Sequence, residues 1–203
     1  MRTTWRWPRD HDESDLIVSE MDEVIPALVA AVQEQHATGD HYRDDAIRQA
    51  MEHQAQLALR PGPVRVDVIV DPPWSDGQIN SVQVVTGDRP FLVDTVASCL
   101  LRHGWRVEDV RHPIIGVKRD RGTIEAVGMP GRGGCASESW IHIDATAPLG
   151  TDIGQAAEQL RDDLCACLDQ VVCATDDWGA MHEAMLRTAE LVSASSGPAD
   201  DRD

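Results

Sequence analysis

The residues best suited to bind a ligand lie in a short loop, Asp88-Arg89-Pro90, directly before an apolar helical pattern. Pro90 suits the first position of a helix, because the amide proton it lacks would have no partner there. The next amides, from Phe91 to Val93, then have no acceptor within the helix and point into the loop. Such a helix start can hold a carboxylate, because the helix dipole favours negative charge there.

Three further side chains could contact a ligand or a partner. His112 could bind a ligand or a metal, but the sequence offers no evident ligand set, which favours a hydrogen-bonded structural role. Trp140 and His142 share one face of a predicted strand. That face either forms an interface between copies of the chain or packs beneath additional helices, and the pattern alone does not distinguish the two.

Strands and helices alternate around the loop. Alternating or continuous apolar residues predict strands at 64–70, 79–86, 107–117, 123–127 and 138–146. Apolar residues at helical spacing predict helices at 17–32, 44–59, 90–103, 152–173 and 178–192. The order predicts an α+β fold: a βαββαβ-like sheet flanked by helices, with two N-terminal helices and a helical C-terminal extension.

Composition excludes several classes of partner. The net charge of −17 argues against nucleic acid and against anionic membrane surfaces. No apolar run approaches the 18 residues of a membrane-spanning helix, so no membrane association is expected. Five cysteines, an odd number, favour reduced thiols and a cytoplasmic protein, and Cys135 in a glycine-rich loop is expected to be exposed.

No metal or cofactor is predicted. The glycine-rich segment 131–134 leads into a strand, whereas a dinucleotide-binding loop follows a strand and opens a helix. The acidic and histidine residues between His36 and Asp45 match no metal-ligand spacing.

Four segments together resemble a known family. They are Asp-Arg-Pro-Phe-Leu-Val-Asp at 88–94, Arg-His-Pro-Ile-Ile at 111–115, Lys-Arg-Asp at 118–120 and Glu-Ser-Trp-Ile-His-Ile at 138–143. In order and spacing they are similar to the N-terminal ACT-like region of the large bacterial NAD-specific glutamate dehydrogenases. The resemblance extends from about Asp15 to Val192 and does not include the catalytic part of those enzymes.

The resemblance implies an ACT or ferredoxin-like domain. Together with the apolar patterns along the chain, it divides the sequence into four segments. These are a mobile tail at 1–15, a helical segment at 16–62, the ACT-like domain with its C-terminal helices at 63–192, and a disordered tail at 193–203. It also implies a non-catalytic regulatory or assembly module that could bind an amino acid. The alternative is one piece of a split NAD-dependent glutamate dehydrogenase that contributes to oxidative deamination. The expected partners are a second copy of the chain, a dehydrogenase subunit or an amino-acid effector.

In ACT domains the effector lies at the mouth of the first core helix. The resemblance therefore implies that Asp88 or Asp94 meets the ammonium of an amino acid, with Arg89 at the rim. Phe91 stands where the usual module has a glycine, which lets a ligand approach the backbone closely. Either Phe91 and Leu92 fill a vestigial site, or the site still binds.

Overall fold

The computed structural model of the protein describes residues 21–35, 44–75 and 77–195. The predicted tail at 1–15 and residues 196–203 of the predicted C-terminal tail lie outside these ranges. The described helices are α1 (Met21–Gln35), α2 (Asp44–Ala58), α3 (Leu92–Arg102), α4 (Ile153–Asp176) and α5 (Trp178–Ser195). The described strands are β1 (Val64–Ile69), β2 (Asn80–Gly87), β3 (Arg106–Arg111), β4 (Ile114–Asp120), β5 (Thr123–Gly128) and β6 (Ala136–Thr146).

The strands form one antiparallel sheet in the order β1-β2-β6-β4-β5, and β3 also pairs with β6. The predicted strand at 107–117 is divided at Pro113, because a proline has no amide to donate to the ladder. β3 therefore pairs with the C-terminal half of β6, and β4 pairs with its N-terminal half. The predicted βαββαβ order ends in a strand after the second core helix. In the described part of the chain no strand follows α4, and β1 occupies the sheet edge beside β2. The predicted α+β class and ACT-like arrangement are confirmed.

Helices cover both faces of this sheet, and the central strand β6 is therefore buried on both sides. Ile141 and Ile143 pack in the core beneath α3 and α4. Trp140 packs in a second core with residues of α1 and α2, and it has no exposed surface. The expectation that Trp140 and His142 form an interface therefore needs correction, since the N-terminal helices cover this face within a single chain. The alternative, packing beneath additional helices, describes the structure.

The exposure predicted for Cys135 is also wrong, since its exposed fraction is only 8%. The glycine-rich loop folds back on itself: the Cys135 amide donates to the Arg132 carbonyl at 2.8 Å, and the Gly131 amide donates to the Cys135 carbonyl at 3.0 Å. These bonds hold the cysteine beneath the loop.

The two C-terminal helices differ in how they are anchored. Asp152 caps α4 as predicted, since its side chain accepts from the Gln155 amide at 3.1 Å. Leu160, Leu164 and Leu168 of α4 are fully buried, whereas α5 exposes apolar residues that include Met185. None of the helices in the described ranges has the length and apolar character needed to cross a membrane.

Candidate functional site

The mouth of α3 differs from its prediction in one conformational detail. The helix begins at Leu92 rather than at Pro90, and Phe91 is the residue before it. Phe91 adopts a left-handed backbone, with φ 72° and ψ 2°, so Pro90 lies in the turn that leads into the helix. No side chain caps this helix start. The first intrahelical donor is the Thr95 amide, bonded to the Phe91 carbonyl at 2.9 Å, so the amides of residues 92–94 have no acceptor within the helix.

The Phe91 ring does not fill this mouth. Its exposed fraction is 62%, whereas Leu92 is 2% exposed and packs into the core beneath α3. The left-handed backbone directs Phe91 to the solvent while the next residue turns inward. This exposure does not agree with a Phe91 ring that plugs the mouth, and binding of a ligand there stays a prediction.

Asp88 and His112 are brought together by a residue that the sequence analysis did not select. The Ser139 hydroxyl donates to Asp88 Oδ1 at 2.7 Å, and it lies 3.0 Å from His112 Nε2. When His112 carries its proton on Nε2 and donates it to Ser139 Oγ, each of these two hydrogen bonds contains one proton. Burial lowers the pKa of His112, and the Asp88 carboxylate partly opposes that shift.

Ser139 is an unsuitable nucleophile in this arrangement. It is fully buried on the central strand, and the serine rather than the histidine occupies the middle position. In a hydrolytic triad the histidine lies between the serine and the carboxylate. The two hydrogen bonds that connect His112, Ser139 and Asp88 therefore fix the orientation of the Asp88 carboxylate beside the helix mouth.

Thr86 adds a buried hydroxyl to the same side of the sheet. It pairs across the strands with Ser139, and its Oγ1 has no hydrogen-bond partner among the described residues. The sequence carried a signal for Thr86. Val82 and Val84 precede Thr86 at alternate positions of β2, and a hydroxyl replaces the valine at the next inward position. A buried hydroxyl without a partner is unfavourable, so a polar ligand atom would be stabilised there.

Arg89 is directed to α4 rather than to the predicted rim position. Its Nη1 donates to Asp176 Oδ1 at 2.9 Å and to Thr175 Oγ1 at 3.2 Å. A cation at the C-terminal end of α4 is also favoured by the helix dipole. Arg89 therefore ties the loop before α3 to the end of α4, while Asp88, Pro90 and Asp94 remain exposed around the mouth.

The comparison with protein families agrees with this architecture. A model of the glutamate dehydrogenase ACT1 domain matches residues 27–164, which is 138 of 203 residues. The chain belongs to the glutamate dehydrogenase ACT1 domain family. The match runs from α1 into the middle of α4 and includes every strand and all of α3. The resemblance in the sequence is thereby confirmed. A search of curated proteins gave no match to this ACT1 domain.

A second polar cluster of the ACT1 domain lies on the opposite face of the sheet, beneath α2. His142 Nε2 donates to Asp144 Oδ1 at 3.0 Å, and its Nδ1 accepts from Gln83 Nε2 at 3.2 Å. The Gln83 carbonyl oxygen in turn accepts from His53 Nδ1 at 2.8 Å. Burial lowers the pKa of His142, while the hydrogen bond to Asp144 opposes that change. This cluster positions α2 on the sheet and lies away from the α3 mouth.

The lowered histidine pKa values predict that the ACT1 domain loses stability in mild acid. A histidine whose folded-state pKa lies below about 6.5 stays neutral in the fold but gains a proton when unfolded. Its contribution to the free energy of unfolding is therefore complete above that pH and is lost as the pH falls below it. We expect the free energy of unfolding to decrease from pH 7 to pH 5, and His142→Gln to reduce that slope.

Urea denaturation at several pH values measures this slope. His182→Gln, on the exposed surface of α5, makes the same substitution outside the core and is the matched control. An equal slope in His142→Gln and the natural chain would show that His142 does not titrate as its burial requires.

The backbone of Phe91 predicts an unusual order of stability among its variants. Phe91→Gly and Phe91→Ala both remove an exposed ring, but only alanine keeps the Cβ atom that disfavours the left-handed conformation. An unfolded glycine has greater conformational freedom, which offsets part of this difference. We expect the free energy of unfolding of Phe91→Gly to exceed that of Phe91→Ala by about 0.5–1 kcal/mol. Ala97→Gly, in the right-handed interior of α3, should instead cost about 1 kcal/mol. Urea denaturation of the variants measures both differences, and a lower stability of Phe91→Gly than of Phe91→Ala would contradict the left-handed assignment.

Proposed function

We propose that this ACT1 domain is a regulatory module related to NAD-specific glutamate dehydrogenase, and that it binds a free amino acid at the mouth of α3. The observation that carries the proposal is the juxtaposition of three features: an uncapped helix start, an exposed carboxylate and a buried hydroxyl without a partner. An amino acid carries a carboxylate, an ammonium and a side chain, which can satisfy these features together.

The α-carboxylate of the ligand accepts hydrogen bonds from the amides of residues 92–94. These amides are the strongest anion-binding groups at the mouth, because they lack acceptors and lie at the positive end of the helix dipole. The Phe91 ring is turned outward, and of the three residues Leu92 is buried, Val93 is half-buried and Asp94 is exposed. The usual ACT module provides access to these amides with a glycine, and here the left-handed backbone of Phe91 takes that place.

The ammonium of the ligand pairs with Asp88. This carboxylate is exposed, and the Ser139 hydroxyl holds one of its oxygens at 2.7 Å, which leaves the other oxygen for a cation. Asp94, in the first turn of α3, adds a second negative charge at the outer edge. The hydroxyl of Thr86 offers a hydrogen bond to a polar atom that reaches the sheet.

The affinity should be modest, because the mouth is partly open to water. A few charge-assisted contacts at such a site correspond to a dissociation constant of roughly 10–1,000 µM. At 100 times the dissociation constant, the ligand would raise the free energy of unfolding by about 2.7 kcal/mol. For a chain of this length that corresponds to a rise of roughly 5–10 °C in melting temperature.

Thermal unfolding with a panel of amino acids tests the proposal. We expect at least one amino acid to raise the melting temperature of the natural chain. Asp88→Asn keeps the oxygen that accepts from Ser139 but loses the charge, so it should weaken binding by about tenfold, the equivalent of about 1.4 kcal/mol. Asp162→Asn, on the exposed surface of α4, makes the same change in net charge and should leave binding intact.

The proposal is contradicted if no amino acid changes the melting temperature of the natural chain. A shift that appears only in Phe91→Gly would show that Phe91 blocks the mouth. An assembly role would then describe the domain better, with a second copy or a dehydrogenase subunit as the partner. The alternative of a split dehydrogenase that contributes to oxidative deamination stays a prediction. Its test is NAD reduction with glutamate, and we expect no activity from the purified chain because no nucleotide-binding loop was found in its sequence.

A further inference from the structure

Two cysteines lie in the same core, where α3 packs against α4. Cys99 of α3 has no exposed surface, and Cys167 of α4 is partly exposed. Arg102 lies one turn after Cys99, on the same side of α3, and its Nη2 donates to Cys167 Sγ at 3.1 Å. The thiol of Cys99 interacts with both the Arg102 guanidinium and the Cys167 thiol. Two thiols from different helices therefore share one cation.

The two thiols differ in reactivity. Burial raises the pKa of Cys99, so this residue is mainly a thiol at neutral pH. Cys167 is reached by solvent, and its sulfur accepts a hydrogen bond from the Arg102 guanidinium. This asymmetry is that of a redox pair, in which an accessible cysteine attacks and a buried neighbour resolves.

We propose that Cys99 and Cys167 form a reversible disulfide that joins α3 to α4 when the protein meets a small-molecule disulfide. This inference is independent of the proposed amino-acid binding. It assigns a modification site to a helix pair that is also linked by the contact of His103, at the end of α3, with Asp163 of α4.

The reaction proceeds by two thiol–disulfide exchanges. The Cys167 thiolate attacks one sulfur of the small disulfide, forms a mixed disulfide and releases the first thiolate. Cys99 then loses its proton and attacks Cys167 Sγ, which forms the Cys99–Cys167 bond and releases the second thiolate. Two protein thiols are oxidised, one disulfide molecule is reduced to two thiols, and the two protons pass to the released thiolates.

The other described cysteines lack this arrangement. Cys173 is exposed, but no hydrogen bond to a guanidinium is observed at its thiol among the described residues. Cys165 lies two residues from Cys167 and therefore on a different side of α4. Selective oxidation of Cys99 and Cys167 over the exposed Cys173 is the distinguishing property.

The experiment treats the full chain with an excess of glutathione disulfide and digests it with trypsin without reduction. We expect a linked peptide pair whose mass is two hydrogen atoms below the sum of the free peptides, and which dithiothreitol separates. Because residues 162–187 form one tryptic peptide with three cysteines, fragmentation must assign the linked sulfur. The assignment should be to Cys167.

Variants separate the two steps. Cys99→Ala should stop the reaction at a glutathione adduct on Cys167, and Cys167→Ser should leave Cys99 as a free thiol. Cys173→Ser is the matched control and should keep the linked pair. Arg102→Leu should slow the appearance of the linked pair severalfold, because it removes the guanidinium that hydrogen-bonds the attacking sulfur. A natural chain that keeps Cys99 as a free thiol after prolonged treatment, with adducts on Cys167 or Cys173 only, would overturn the proposal.

Discussion

Replacing Glu138 by alanine should lower the free energy of unfolding by about 3–5 kcal/mol, because it leaves buried cations without a counterion. Glu138 and Arg119 form a two-pronged ion pair at 2.6 and 3.0 Å, and their side chains are only 9% and 15% exposed. Arg65, which is 6% exposed, is a second buried cation that interacts with the Glu138 carboxylate. The pair also fixes the sheet to α2, since Arg119 donates to the Ala58 carbonyl at 3.0 Å.

Glu125→Ala is the matched control for this variant. Glu125 pairs with Lys118 at 3.0 Å on the neighbouring strands, but both side chains are nearly half exposed. Water screens such a pair, so its loss should cost less than about 1 kcal/mol. Urea denaturation compares the two variants, and a cost for Glu138→Ala no larger than that for Glu125→Ala would show that the Arg119 pair is solvated.

Replacing Trp140 by alanine should cost about 3–5 kcal/mol, because the side chain is fully buried between the sheet and the N-terminal helices. Its indole also donates to Glu138 Oε2 at 3.4 Å, so the variant weakens the ion-pair cluster as well. The natural surface offers a control in Leu149, which is 99% exposed. Leu149→Ala should change the stability by no more than about 0.5 kcal/mol.

Urea denaturation and sedimentation together distinguish burial from an interface at Trp140. If Trp140→Ala keeps the stability of the natural chain but dissociates an oligomer, α1 and α2 do not cover this face in solution. Loss of stability with no change in the mass of the folded species supports the packing described here.

Much of the fold follows from periodicity in the sequence. The alternation in 138–146 places Ile141 and Ile143 on one face and Trp140 and His142 on the other, as the structure shows. The same alternation does not reveal what covers each face, because a buried strand and an interface strand carry the same apolar pattern. Placing α1 and α2 over Trp140 required their long-range contacts, which local sequence does not encode.

The arrangement of side chains at the mouth of α3 was predicted in part. Asp88 and His112 were selected from their motifs, and Ser139 joins them in the structure. Ser139 itself was missed because a serine within an apolar strand has no motif of its own. The backbone of Phe91 was missed for a different reason. A phenylalanine seldom adopts a positive φ, so nothing in its residue type indicates a left-handed turn.

The measurement that tests the central claim most directly is a titration of the isotope-labelled chain with amino acids, followed by amide NMR. Binding of the carboxylate at the helix start should shift the amide signals of Leu92, Val93 and Asp94 in a saturable way. The shifts should weaken in Asp88→Asn and persist in Asp162→Asn. Unchanged signals at residues 92–94, or saturable shifts confined to another part of the domain, would contradict an amino-acid site at the mouth of α3.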